Sequence, residues 1–105
     1  MVRICEQAGI ANIHLSFSEV QPIKLANVKK ALLEHGTKGD ISMVAIVHCE
    51  TSTGVLNQIE SIGELLKNNE MDNKTGSKSI LYTVDAMSTF GGVQSRYEHV
   101  DFLIR

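Results

Sequence analysis

The run Ile41-Ser42-Met43-Val44-Ala45-Ile46-Val47, passing directly into His48-Cys49-Glu50-Thr51-Ser52-Thr53-Gly54, decides how this chain folds. Its first half is almost continuously apolar, the pattern of a strand covered on both faces, as in a parallel sheet. Its second half is polar or small. The arrangement recurs downstream, where Ser79-Ile80-Leu81-Tyr82-Thr83-Val84 leads into Asp85-Ala86-Met87-Ser88-Thr89-Phe90-Gly91-Gly92. In open parallel sheets, ligands sit in the crevice at the carboxyl ends of the strands. Two loops rich in acids and hydroxyls at two such ends therefore predict one shared binding site.

Outward from the first strand, Ile59, Ile62, Leu65 and Leu66 recur at helical spacing, predicting an amphipathic helix that ends near Asn68. Upstream, Leu25, Val28, Leu32 and Leu33 mark another helix, with Lys29 and Lys30 on its outer face and Gly36 as its stop. Ile13, Leu15 and Phe17 alternate with Asn12, His14 and Ser16, which predicts a strand over residues 11–17. Residues 1–8 read as the tail of a helix closed by Gly9, residues 36–40 as a turn-rich connector, and residues 69–78 as a polar loop. Val100-Asp101-Phe102-Leu103-Ile104 begins a further strand. Strands and helices in this alternation give an α/β fold, a parallel-type sheet built from βαβ units with right-handed crossovers.

At 105 residues the chain forms one domain, residues 1–105. A parallel sheet needs helices on both faces, and only two or three are predicted. The chain is thus read as one domain or as part of one. Ten basic against twelve acidic residues give a formal charge of −2, with no Trp and two Tyr. That excludes the positive footprint and stacking surface of a nucleic-acid binder. No apolar run approaches the roughly 20 residues that span a bilayer, which argues against a membrane protein. Glu6 and Gln7 interrupt the start, so no signal peptide is read there. Cys5 and Cys49 form no CxxC pair, and the expected compartment is the cytoplasm or an organelle matrix.

Asp85 is the sharpest single residue. It closes an apolar strand, where a carboxylate is costly to bury without a cation: a Lys or Arg, a metal, or the protonated ring nitrogen of a cofactor. It is equally placed to cap the short turn begun by Ala86-Met87-Ser88. Gly91-Gly92 allows either close approach to a ligand or a turn with positive φ. Thr51-Ser52-Thr53-Gly54 precedes the helix, where hydroxyls and N–H groups can bind an anion or simply serve as an N-cap. His48-Cys49-Glu50 alternates faces on extended backbone and lacks zinc-site spacing, so neither metal nor thiol chemistry is read there. His14, His35 and His99 are scattered, with surface or core roles expected. No GxGxxG or GxxxxGK[ST] run supports a dinucleotide or P-loop site.

The stretch from Val44 through His48-Cys49-Glu50-Thr51-Ser52-Thr53-Gly54-Val55-Leu56-Asn57 resembles the class V aminotransferases, and within them the 2-aminoethylphosphonate–pyruvate transaminases, whose pattern reads His-Cys-Glu-Thr-Thr-Thr-Gly-Ile-Leu-Asn. Val84-Asp85-Ala86-Met87-Ser88-Thr89-Phe90-Gly91-Gly92 is similar to the same family's Val-Asp-Ala-Met-Ser-Ser-Phe-Gly-Gly, and Asp101-Phe102-Leu103-Ile104 to the strand that follows. The likeness covers most of the chain and is weaker through residues 1–40. Alanine–glyoxylate and serine–pyruvate aminotransferases, the alternative, favour Gly-Glu-Ser-Ser-Thr-Gly in the first block.

The resemblance implies pyridoxal 5′-phosphate (PLP) as cofactor, on the large domain of a fold type I aminotransferase. It also implies a homodimer acting on a small amino donor and a 2-oxo acid. Asp85 matches the carboxylate that pairs with the pyridine nitrogen, Thr51 the hydroxyl near the phenolic oxygen, and Thr89 a loop residue supporting the cofactor. Ser52 stands where the phosphonate enzymes carry Thr, and residues 71–79 exceed the family's usual connector. In the family, Asp-Phe-Leu-Ile leads into Ser-Ala-Asn-Lys, whose lysine forms the Schiff base. No residue here matches that lysine or the upstream glycine-rich phosphate turn. The expectation is therefore a partial cofactor domain, inactive by itself. The rival from another class is a non-catalytic α/β remnant that serves in binding or dimerisation.

Overall fold

The computed structural model describes residues 2–18, 20–36, 41–68 and 80–105. Along the chain run α1 (Val2–Gln7), α2 (Leu25–His35), β1 (Met43–Val47), β2 (Cys49–Glu50), β3 (Val55–Leu56), α3 (Ile59–Leu66), β4 (Leu81–Asp85) and β5 (Phe102–Ile104). The loop expected over residues 69–78 and most of the connector at 36–40 lie outside the described residues.

The main sheet has the order β1-β4-β5, and both pairings are parallel. In register, Val47 stands beside Asp85, and Asp85 beside Ile104. All three strands thus end along one edge, which is the edge that carries the polar loops. The predicted α/β architecture with a parallel sheet is the observed one, and β1, α3 and β4 form its βαβ unit.

Period-two alternation decides what the sheet buries. Ile46, Tyr82 and Val84 face the helices, where they meet Val28 and Leu32 of α2 and Ile59, Ile62 and Leu66 of α3 in one core. Tyr82 is fully buried, and its hydroxyl donates to the Ile59 carbonyl at 3.1 Å, which joins the central strand to the first residue of α3. Burial pushes that phenol well above the usual tyrosine range, and the negative charge of Glu60 adds to the effect. Gly63 lets α3 approach closely, because a Cβ there would lie 2.8 Å from His99 Cβ.

The opposite face is uncovered among the described residues, whereas the apolar runs predict cover on both sides. Met43, Leu81, Phe102 and Ile104 are exposed on it, at 48%, 37%, 52% and 41%. Both predicted helices, α2 and α3, pack on one side of the sheet. The strand expected over residues 11–17 is also absent. Ile13 and Leu15 are exposed, and no strand pairs with this stretch among the described residues. Alternation supplies a face, but a strand also needs a neighbour to take its backbone hydrogen bonds. The helix expected at the start forms as α1 and buries none of its residues. No helix among the described residues is long and apolar enough to cross a membrane.

Candidate functional site

The first loop is not the approach to a helix. Cys49–Glu50 and Val55–Leu56 pair antiparallel, so Thr51-Ser52-Thr53-Gly54 is the tip of a small hairpin. The Gly54 N–H closes it by donating to the Glu50 carbonyl at 2.7 Å, with Gly54 at φ +72°. Helix α3 begins only at Ile59, and its N-cap Gln58 makes no side-chain capping bond. The expectation of hydroxyls at a helix start, whether as cap or as anion site, is therefore corrected. Thr51 is an exposed residue of the hairpin tip.

The second loop is two tight turns in succession. Thr89 and Phe90 N–H groups donate to the Ala86 carbonyl, and Gly92 and Val93 N–H groups to the Thr89 carbonyl. Gly91 sits at φ +81°, so the turn reading applies to this glycine. Asp85 Oδ1 accepts the Met87 N–H at 3.1 Å, the capping contact its position allowed. The carboxylate is half-buried, and no Lys or Arg among the described residues pairs with it. Capping therefore occupies part of the carboxylate and leaves the rest without a cation among the described residues.

The two loops are tied together at three points. The His48 N–H donates to the Asp85 carbonyl at 2.8 Å, extending the β1–β4 ladder by one bond. Ser88 Oγ donates to the Cys49 carbonyl at 3.4 Å. His48 Nδ1 lies 2.7 Å from Thr89 Oγ1, with both residues buried. The two loops, expected from their strand ends to lie together, are thus in direct contact. Thr89, read as a residue supporting the cofactor, spends its hydroxyl inside the loop pair and is only 2% exposed.

Sequence reasoning missed two residues. His48 was weighed only as a metal or thiol partner, yet its ring bridges the loops. Burial lowers its pKa, against a smaller opposing pull from Glu60, so the ring is held toward the neutral form. Asn57 ended the first motif without a role. Its Oδ1 accepts the Ile23 N–H at 2.9 Å, and its Nδ2 donates to the Val47 carbonyl at 2.8 Å. It pins the carboxyl end of β1 to the segment entering α2. The available signal was an amide side chain directly between a short apolar pair and a helix.

The parallel three-stranded sheet in its α/β arrangement is the fold of an aminotransferase domain. A solved structure shares it: the pyridoxamine–pyruvate aminotransferase of Mesorhizobium loti superposes with a TM-score of 0.62 at 25% identity, over 84% of this chain and 19% of that one. Within that class, the chain is a relative of the 2-aminoethylphosphonate–pyruvate transaminases, the group its two motifs resemble. The Lysinibacillus sphaericus enzyme of that name is 42% identical over 108 residues, covering 97% of this chain and 26% of the relative. The Phocaeicola vulgatus enzyme is 38% identical over 92 residues, covering 86% and 22%. The bifunctional phosphonoacetaldehyde hydrolase/aminoethylphosphonate transaminase of Clostridioides difficile is 37% identical over 106 residues, covering 99% and 15%. The chain therefore spans about a quarter or less of the length of these relatives. No family model matches it.

Proposed function

We propose that the loops after β1 and β4 form the ring-side part of a PLP site in an aminotransferase of the 2-aminoethylphosphonate:pyruvate type. The observation that carries this reading is the Asp85 carboxylate. It stands half-buried at the carboxyl end of the central strand, takes one N–H from Met87, and has no cationic partner among the described residues. A protonated pyridine nitrogen is a single-donor cation that the rest of that carboxylate could accept. PLP, when bound, supplies the electron sink on which transamination depends. Asp85 holds that ring nitrogen protonated, and Thr51 at the hairpin tip offers its hydroxyl to the phenolic oxygen. Thr89 acts from behind, by fixing the turn that follows Asp85.

The substrates in this reading are a small amino donor and a 2-oxo acid, and the assembly is a homodimer. The 105 residues constitute part of a larger cofactor domain, which the exposed apolar side chains of Met43, Leu81, Phe102 and Ile104 support. No lysine here corresponds to the family's cofactor-bearing lysine, so amino transfer by these residues alone is not expected.

The test uses pyridoxine 5′-phosphate, which keeps the ring and phosphate but has no aldehyde to trap. Added at millimolar concentration to the 15N-labelled chain, it should shift the amide signals of Met87 and Thr51, and Asp85→Ala should abolish the shifts. Unmoved signals at both residues overturn the ring-site reading. Incubation with PLP, 2-aminoethylphosphonate and pyruvate should yield no alanine, and formation of alanine overturns the inactivity.

A further inference from the structure

His48 grips the second loop at both ends. Its backbone N–H holds the carbonyl of Asp85, the first residue of that loop, at 2.8 Å. Its ring holds the hydroxyl of Thr89, four positions on, at 2.7 Å. The Asp85 carboxylate and the Met87 N–H it accepts lie on the segment between these anchors. His48 is itself fixed from the other side, because its carbonyl accepts the Asn57 N–H at 2.8 Å. The ring is 3% exposed and meets the Tyr97 ring edge-on, with centroids 6.4 Å apart. A side chain so placed cannot relax without moving one of the loops.

The His48–Thr89 contact is the shortest side-chain bond between the two loops, at 2.7 Å. The Thr89 hydroxyl also stands 3.3 Å from the Ala86 carbonyl, and Ser95 Oγ lies 3.4 Å from Nε2. A neutral imidazole has one donor and one acceptor nitrogen, and each finds a hydroxyl here that can play the complementary part. Successive bonds of this kind polarise and strengthen one another. The lowered pKa of the buried ring agrees with a neutral imidazole.

We propose that His48 is a positioning residue for Asp85: a neutral imidazole, bonded through Nδ1 to Thr89, that sets the bearing of the Asp85 carboxylate relative to the hairpin carrying Thr51. The proposal rests on the reading of Asp85 as the partner of a ring nitrogen. It assigns His48 no contact with substrate or cofactor. Its effect passes entirely through the turn of residues 85–89.

Long-range proton–nitrogen spectra of the 15N-labelled 105-residue chain at neutral pH test the neutral ring directly. The expected pattern at His48 is one protonated and one unprotonated ring nitrogen; two protonated nitrogens overturn the proposal. Two substitutions then separate positioning from bulk. In His48→Asn the side-chain amide falls near the place of Nδ1 and can still bond Thr89, whereas in His48→Gln it falls near Nε2 and cannot. His48→Gln should shift the Asp85 carboxyl carbon and the Met87 amide and weaken pyridoxine 5′-phosphate binding about tenfold, the loss of roughly one hydrogen bond. His48→Asn should restore both. Equal effects from the two variants, or unmoved Asp85 and Met87 signals in a folded His48→Gln, overturn it. Should His48→Gln fail to fold, Thr89→Val removes the ring's partner while keeping the shape, and it should shift the Asp85 carboxyl carbon and the Met87 amide as His48→Gln would. If the wild-type chain does not bind the probe, the ring-site reading fails, while the ring protonation and the Asp85 and Met87 signals still decide the role of His48.

Discussion

Tyr82 and Asp101 exchange two hydrogen bonds: the Tyr82 N–H donates to Asp101 Oδ2 at 2.7 Å, and the Asp101 N–H donates to the Tyr82 carbonyl at 2.9 Å. The side chain of Asp101 thereby stands in for a backbone carbonyl and starts the β4–β5 pairing one step before β5 begins. Lys67, at the end of α3, donates to the same oxygen at 2.8 Å. One carboxylate thus joins the helix that covers the sheet to two of its strands.

Replacing Asp101 by Ala leaves the Tyr82 N–H without its acceptor and should cost about 2 kcal/mol in urea unfolding. Asp101→Asn keeps an oxygen for that N–H and loses only the charge, so it should cost less than Ala. Lys67, and after it the Tyr82 N–H, hold the Asp101 carboxyl below the usual range. The native pKa being the depressed one, this stabilisation is complete above the unfolded-state value near 3.8 and is lost as pH falls through the native value. Acid unfolding of Asp101→Asn should lack that low-pH component.

Gly63→Ala should destabilise the chain although Ala is the better helix former. The helix gains about 1 kcal/mol from the exchange. The new methyl, however, would lie 2.8 Å from His99 Cβ and 3.4 Å from Tyr82 Cε1, and Tyr82 is the fully buried centre of the core. Overpacking of this kind costs about 1–3 kcal/mol, so the net change should be a loss. A lower urea midpoint with an unchanged slope is the expected signature.

What the sequence made legible was local. The helices α2 and α3 and the strands β1 and β4 follow from apolar spacing within a few residues, and they appear where that spacing placed them. The adjacency of the two loops followed from chain order, because a polar loop after each of two parallel strands must lie on one edge. Asp85 was read both as a cap and as a partner for a cation, and the capping contact is present. Legibility ended where partners are distant. His48 and Thr89 are 41 residues apart, so their bond leaves no periodic trace. The strands at Cys49–Glu50 and Val55–Leu56 are too short to show alternation, which hid the hairpin behind a run of hydroxyls. Ile13, Leu15 and Phe17 alternate well yet find no partner strand among the described residues, since alternation fixes a face and says nothing of the neighbour that must pair with it.

Asn57→Ala should be among the most damaging single changes, at about 2–3 kcal/mol. It strips the acceptor from the Ile23 N–H and the donor from the Val47 carbonyl at once, in a residue that is 6% exposed. Hydrogen exchange offers a sharper check than stability alone. The Ile23 amide should lose protection in the variant far more than amides in α3 do, because its bond to Asn57 is the one removed. Uniform loss of protection across both would show that Asn57 contributes only through global stability.

His48 should leave its own mark on the pH dependence, in a window separate from that of Asp101. Burial lowers its pKa from the ordinary 6.5, and Glu60 offsets this only in part. The unfolded chain therefore takes up a proton below about pH 6.5 that the native ring resists, and stability falls as pH drops through that range. Above it, His48 is neutral in both states and contributes no pH dependence. A single group limits the slope to about 1.4 kcal/mol per pH unit, and the slope ends once pH passes below the native pKa. His48→Asn cannot titrate but keeps an amide to bond Thr89, so it should flatten the curve between pH 7 and 5. The same variant should leave the lower Asp101 component in place. A wild-type curve already flat across that interval would mean that the ring accepts a proton in the native state as readily as in the unfolded one, which the buried Ser95–His48–Thr89–Ala86 chain of bonds is built to prevent.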